Sequence, residues 1–320
     1  MPSRTARSRR RSRASRSPSK PHWPSVRVLV AGASGFIGRE LVARLKADGH
    51  TVLTLSRSAP TSENEFLWLP STLDVDPRAV DGADAVVNLA GASTGRIPWT
   101  TSYKREILYS RVQGTQALAE AIGRVAQPPT IFLNGSAVGY YGDRPGEVLT
   151  ETSTKGAGFL SDVVEAWEQA AHLAPDGTRV VTFRTGVVVG DGGAFTPLIP
   201  LTKLGLAARF GSGRQHWPWI SLHDEAAAIR HLLTSELDGV VNLVGPTPAT
   251  SQQITDALAN ALGRWHPWVI PEFAVNLLGD AGRDLLLMSE NVVPERLLAD
   301  GFAFRDTTAE VAIEQLARAL

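Results

Sequence analysis

The chain contains no cysteine, which excludes a disulfide framework and any thiolate metal site and makes a reducing cytoplasm the simplest compartment. Nor does any apolar run approach the ~20 residues needed to span a bilayer, so no membrane residence is expected. Acidic residues are missing from residues 1–22, which carry seven arginines and Lys20. Because the formal charge of the whole is zero, the remainder sits at −8. A Ser/Arg tail with so little apolar surface cannot fold, so residues 1–22 are expected to be disordered. They read as a solvated extension or misassigned start, as a polyanion-binding arm, or as a transit peptide without the amphipathic stripe such a peptide needs. The acidic body itself is a poor partner for nucleic acid.

What is present begins at Val26. Residues 26–45 read VRVLVAGASGFIGRELVARL: an apolar β-branched run, three glycines, then an apolar stripe at helical spacing. Val26, Val28 and Val30 suit a strand buried on both faces, while Ile37, Leu41, Val42 and Leu45 suit a helix. Gly32 turns the chain off the strand, Gly35 lets backbone N–H groups approach a pyrophosphate, and Gly38 lets the helix pack against the strand. With Ser34, Phe36 and Ile37 between them, these residues are the expected phosphate cradle of a dinucleotide.

Further strands are expected at 51–56, 66–69, 85–89, 130–134 and 179–184, with helices over 103–125 and 158–173. This alternation predicts an α/β fold, a Rossmann-type doubly wound parallel sheet with helices on both faces. From about Gly186 the texture changes to Gly/Pro-punctuated loops and shorter helices near 224–235, 251–262, 272–288 and 308–319. Residues 23–185 therefore read as an NADP-binding Rossmann domain and 186–320 as a smaller C-terminal substrate or lid subdomain.

The end of the second strand selects the cofactor. An acidic side chain there would hydrogen-bond a ribose 2′-hydroxyl, but residues 51–62 contain no Asp or Glu. Ser56 and Arg57 stand there instead, a hydroxyl and a guanidinium suited to a 2′-phosphate, so NADP(H) is expected. Asn88, Ala90 and Gly91 lie where a chain passes under the cofactor's ribose and nicotinamide.

No metal is expected, because His216, His223, His231 and His266 lack a tight ligand spacing. His223–Asp224 opens a helix, with Asp224 read as its cap. The segment Arg209–Trp219 joins glycines to Arg214, Gln215 and two tryptophans. It can clasp an anionic or sugar-like ligand, or Trp217 and Trp219 can seal an interface. Arg96, Trp99, Lys104 and Arg111 form a second basic and aromatic set.

Several segments resemble one group of atypical short-chain dehydrogenases, the YfcH-type or SulA-like epimerase family. They are the glycine loop, Asn88–Gly91, Lys104–Arg111, Ser136–Gly142, Trp167–Glu168, Arg184–Gly190, Gly211–Asp224, Val241–Pro246, Val293–Leu297 and Gly301–Phe304. The resemblance covers about residues 26–318. It implies an NADP-binding fold and an oxidoreductase or epimerase acting on a small polar or nucleotide-linked substrate. Some relatives are linked to cell division, which implies a competing role as a non-catalytic NADP(H)-binding sensor or interaction protein. Dimers are common for such folds, so a homodimer is an open expectation.

Short-chain dehydrogenases move a proton with a tyrosine phenol, whose pKa near ~10 is made usable by a lysine four residues later. The expected segment reads FLSDVVEAWE from Phe159 and has neither residue. Ser136 stands where such enzymes carry a catalytic serine, either to hydrogen-bond a substrate oxygen or simply to cap a loop. Tyr140 and Tyr141 are the phenols best placed to substitute, though either can instead pack its ring and hydrogen-bond locally. Lys155, Glu165, His223 and Asp224 are further candidates.

Overall fold

The computed structural model describes residues 25–320; the expectations for residues 1–22 lie outside the described residues. Eight strands form one sheet: β1 (Arg27–Ala31), β2 (Thr51–Ser56), β3 (Glu65–Leu69), β4 (Asp74–Val75), β5 (Ala85–Asn88), β6 (Ile131–Ala137), β7 (Arg179–Thr185) and β8 (Gly239–Leu243). Their order across the sheet is β8-β7-β6-β5-β1-β2-β3-β4. All pairs are parallel except that β4 runs antiparallel to β3 at one edge. Four helices flank it: α1 (Phe36–Ala47), α2 (Thr101–Arg124), α3 (Phe159–Ala171) and α4 (Leu222–Leu232).

Alternation within β1 divides the core into two layers. Val28 and Val30 join Leu41 and Leu45 of α1 and Ile229 and Leu232 of α4. Leu29 and Ala31 face the opposite way, toward Leu118 and Ile122 of α2 and Ala171 of α3. Helices cover both faces, which is why this strand is apolar at every position from Val28 to Ala31 rather than at alternate ones. The architecture is the doubly wound Rossmann-like sheet that the sequence predicts.

From β1 the chain moves outward through β2 and β3, then crosses back to β5 on the other side of β1. Where the winding reverses, the ends of β1 and β5 leave a crevice, and doubly wound sheets bind ligands there.

The chain also returns to this sheet beyond residue 186. β8 pairs with β7 along its whole length, and α4 packs on α1. A division at residue 185 therefore cuts through one continuous layer. The expected helix over 272–288 is instead three short pieces, Glu272–Asn276, Asp280–Gly282 and Arg283–Leu287. Gly279 interrupts it with φ +64°, a conformation that glycine adopts at little cost. Phe195–Lys203 is helical despite Pro200. Asp224 is not the cap of α4: Ser221 Oγ accepts from the Asp224 backbone N–H at 3.1 Å. The buried Asp224 carboxylate instead accepts from the backbone N–H groups of Arg305 and Asp306, at 3.1 and 2.9 Å, and ties the C-terminal segment to α4. Among the described residues no helix is long and apolar enough to cross a membrane.

Candidate functional site

Two loops meet at the crevice. Gly32 has φ +79°, and a Cβ there would lie 2.7 Å from the Leu89 carbonyl carbon, so the turn after β1 closes directly onto the loop after β5. The Gly35 N–H donates to the Gly32 carbonyl at 2.9 Å. Gly35 is also the N-cap of α1 and offers no capping side chain, which leaves the first N–H groups of the helix available to an anion. A Cβ on Gly38 would overlap the Gly32 carbonyl oxygen. Ser34 is exposed beside the turn, and its carbonyl accepts from Arg39 at 2.7 Å. Phe36 and Ile37 turn inward and pack against the core. The loop at Gly190 and Gly192 wraps the Phe36 ring so closely that a Cβ at either would come within 2.6 Å of it. Both side chains anchor the turn, and only their backbone is left to face a ligand.

Below the second loop, Asn88 is fully buried and donates to Thr115 Oγ1 and Asn134 Oδ1 at 2.9 and 2.8 Å. Its side-chain Oδ1 accepts from the Ala90 N–H at 3.1 Å, and Trp167 Nε1 donates to Thr115 Oγ1 at 2.9 Å. Asn88 is thus a positioning residue: it fixes Ala90 and Gly91 rather than reaching a ligand itself. Arg111 sits against Gly91, donates to the Ala92 carbonyl at 3.0 Å and lies 5.1 Å from the Trp167 ring. It has no carboxylate partner among the described residues, and burial pulls its pKa down to about 10.

At the end of β2, Ser56 Oγ is 3.0 Å from Ser58 Oγ and accepts from the Ser58 N–H at 3.2 Å. Arg57 is exposed, and its guanidinium has no hydrogen bond or ion pair among the described residues.

The three hydroxyl candidates fare differently. Ser136 is buried and donates to Glu168 Oε1 at 2.6 Å. Glu168 in turn takes a two-pronged ion pair from Arg184, with Nε and Nη2 each 2.8 Å from a carboxylate oxygen. Tyr141 is fully buried and donates to Asn242 Oδ1 at 2.7 Å; burial pushes its pKa up to about 12. Tyr140 is half-buried with its ring 3.4 Å from the Arg184 guanidinium carbon. Its hydroxyl has no partner among the described residues. Sequence reasoning missed the Glu168–Arg184 pair, although Glu168 interrupts an apolar stripe at Val163, Val164, Trp167, Ala170 and Ala171. A carboxylate on a buried face calls for a buried cation.

On α3, Phe159 and Val163 cluster with Trp99, Tyr103 and Ile107 under Ala281 and Leu285 of the broken helical segment. Lys104 lies 4.9 Å from the Phe159 ring and pairs with Asp280. Trp217 and Trp219 are buried with Phe195, Ile254 and Ile313, so they seal the C-terminal core. Gln215 donates to the Phe210 and Leu286 carbonyls at 3.0 and 2.9 Å. Arg214 is exposed and borders a polar cleft of about 300 Å³ with Asp143, Gln215, Glu272 and Ser289.

Comparison with known proteins adds an independent line. A model described as the NAD dependent epimerase/dehydratase family matches residues 28–245, and a domain of unknown function, DUF1731, matches residues 270–316. An epimerase family protein of Mycobacterium bovis is 39% identical over 89% of this chain and 96% of its own length. The human epimerase family protein SDR39U1 is 35% identical over 91% of this chain and 99% of its own. A crystal structure of human SDR39U1 (isoform 2) with NADPH superposes with a TM-score of 0.85 at 34% identity, covering 92% of this chain and 100% of that one.

Proposed function

The chain belongs to the NAD dependent epimerase/dehydratase family, and on that premise we propose that it is an NADP(H)-binding oxidoreductase or epimerase acting on a small polar or nucleotide-linked substrate. The observation that carries this reading is the closure of the Gly32 turn onto Leu89 at the switch point. It leaves the uncapped N–H groups of α1 as the polar surface facing a pyrophosphate. Arg57, exposed and unpaired, suits a 2′-phosphate because a guanidinium fork matches two phosphate oxygens. The human relative crystallised with NADPH supports the same cofactor. The cleft of about 300 Å³ bordered by Asp143, Arg214, Gln215 and Ser289 is at the small end of the range for small-molecule sites.

When bound, the nicotinamide would supply or accept a hydride. Proton exchange falls to Tyr140, the one of the three candidate hydroxyls that the protein leaves unbonded. The Arg184 guanidinium, 3.4 Å from the centre of its ring, holds that ring in place beside Glu168. The test mixes purified protein with NADPH and a panel of aldehydes, ketones, quinones and nucleotide-linked sugars, following reduced-nicotinamide absorbance. Turnover is expected to fall by about 100-fold or more in Tyr140→Phe, with NADPH binding retained. Undiminished turnover in that variant would contradict the assignment.

A second reading is a sensor that binds NADP(H) without turning it over. It is favoured by the helix Phe159–Ala171, which contains neither a tyrosine nor a lysine. NADPH binding with no turnover across the whole panel selects it.

A further inference from the structure

We infer that the polar cleft takes a small zwitterionic substrate, one that carries an ammonium group and a carboxylate, and turns away nucleoside diphosphates. The inference rests on the cleft being the substrate site of the proposed oxidoreductase, and it narrows that reading to one class. Two segments meet to build the wall. The Ser289 N–H donates to Asp143 Oδ1 at 2.9 Å, and Ser289 Oγ accepts from the His216 N–H at 3.1 Å. These bonds set the Asp143 carboxylate and the Ser289 hydroxyl beside Gln215 at the cleft. Gln215 is 7% exposed. Its amide is held through Nε2, which donates to the Phe210 and Leu286 carbonyls, and Oε1 is left with no partner among the described residues. A buried carbonyl oxygen without a donor is costly. Here it belongs to a residue that borders the cleft, where a ligand's N–H group meets it.

Charge selects the ligand. Asp143, Glu272 and Arg214 border the cleft, and none of the three has an ion pair among the described residues. The other cations nearby are committed elsewhere. Arg144 pairs with Glu147 and donates to the Thr154 carbonyl, and Arg283 pairs with Asp280 and Asp284. Arg209 packs under Gly213 beside Gln252 and does not border the cleft. Behind Ser289 more acid gathers: Glu290 is 8% exposed and Asp284 7%, and each leaves one buried carboxylate oxygen without a partner. Burial, then the nearby Asp143 and Asp284, push Glu290 up to about 8, as happens where carboxylates lie close together with no cation between them. Low-dielectric walls focus such a field into the opening. An ammonium group brings N–H donors and positive charge to Asp143, Glu272 and Gln215, while a carboxylate suits the fork of Arg214. A diphosphate brings only acceptors and negative charge to a rim that carries two carboxylates and one guanidinium, and like charges brought together oppose binding. The cleft's volume of about 300 Å³ also suits a molecule of amino-acid size better than a nucleotide.

The test is calorimetric titration of the full chain, first with NADPH, which reads the cofactor site on its own. The cofactor-saturated protein is then titrated with glycine, β-alanine, γ-aminobutyrate and δ-aminovalerate, with the hydroxy acid matched in length to each, and with UDP-glucose. At least one amino acid is expected to bind with a Kd below about 1 mM, about tenfold or more tighter than its hydroxy acid and than UDP-glucose. Asp143→Asn and Arg214→Gln, both at exposed positions, are each expected to weaken that binding by about tenfold or more, with NADPH affinity and melting temperature unchanged. If either variant loses its fold, Glu272→Gln is measured in its place by the same criteria. No binding by any amino acid up to about 10 mM, a preference for the hydroxy acid or for UDP-glucose, or amino-acid binding that both substitutions leave intact would each overturn the inference. NADPH binding alongside any of these leaves the cofactor reading standing. Amino-acid binding by a chain that does not bind NADPH supports the inference about the cleft and overturns the cofactor reading instead.

Discussion

Glu168 shows how a single side chain decides what its neighbours can do. It takes the Ser136 proton donor on one side and both prongs of Arg184 on the other, so the serine is spent on structure and the arginine is held flat against Tyr140. Removing Arg184 would leave a buried carboxylate unpaired, a change that typically costs about 3–5 kcal/mol. A different buried acid governs the response to pH. Glu225 is fully buried, donates nothing when ionised and meets only the Thr185 hydroxyl at 2.8 Å, with its second oxygen unpartnered. Burial lifts its pKa from 4.5 to about 8. The native state therefore keeps a proton that the unfolded chain has already lost, so stability falls as pH rises from about 4.5 to about 8 and levels off above that. Glu290, raised to about 8 by burial and by the nearby Asp143 and Asp284, acts in the same direction. Melting temperatures measured across this range are expected to decline in the wild type and to decline less steeply in Glu225→Gln. An unchanged slope in the variant would assign the effect elsewhere.

At the scale of elements, the strand, turn and helix from Arg27 to Ala47 were legible because every local signal agrees. Periodicity changes from a continuous apolar run to helical spacing across glycines, each of which has a steric reason to be there. Gly38 gives the sharpest case, since a methyl group there would overlap the Gly32 carbonyl oxygen, a backbone atom that cannot move aside. Gly38→Ala is expected to cost roughly 1–3 kcal/mol of stability and to weaken NADPH binding more than tenfold, measured by denaturant melts and by fluorescence titration. Full binding with full stability would mean that α1 can slide away from the turn. Other elements hid for physical reasons. β8 is only five residues, GVVNL, set among glycines and prolines, and its strand character comes from pairing with β7. Phe195–Lys203 carries Pro200 inside it, and the 272–288 stripe has helical periodicity that Gly279 overrides. The site was legible in part. Glycines and the missing acid after β2 mark a cofactor from sequence alone, whereas the fate of Ser136 depended on Glu168, 32 residues away, and no local pattern encodes that meeting.

The whole molecule separates holding a cofactor from acting on it. The sheet's switch point, the uncapped α1 and the unpaired Arg57 form one side of the crevice. The helix Phe159–Ala171, which holds neither tyrosine nor lysine, packs Phe159 and Val163 under Ala281 and Leu285, and of Ser136, Tyr140 and Tyr141 it is Tyr140 whose hydroxyl has no partner among the described residues. The C-terminal half contributes β8 to the sheet and most of the wall of the polar cleft. The central claim is that the crevice is built for the phosphorylated dinucleotide, and its most direct test is fluorescence titration of wild type and Arg57→Glu with NADPH and NADH in parallel. NADPH affinity is expected to fall by about 10-fold or more, the scale of a lost charge-assisted contact, while NADH affinity holds or improves. Equal losses for both cofactors, or no loss for either, would contradict it.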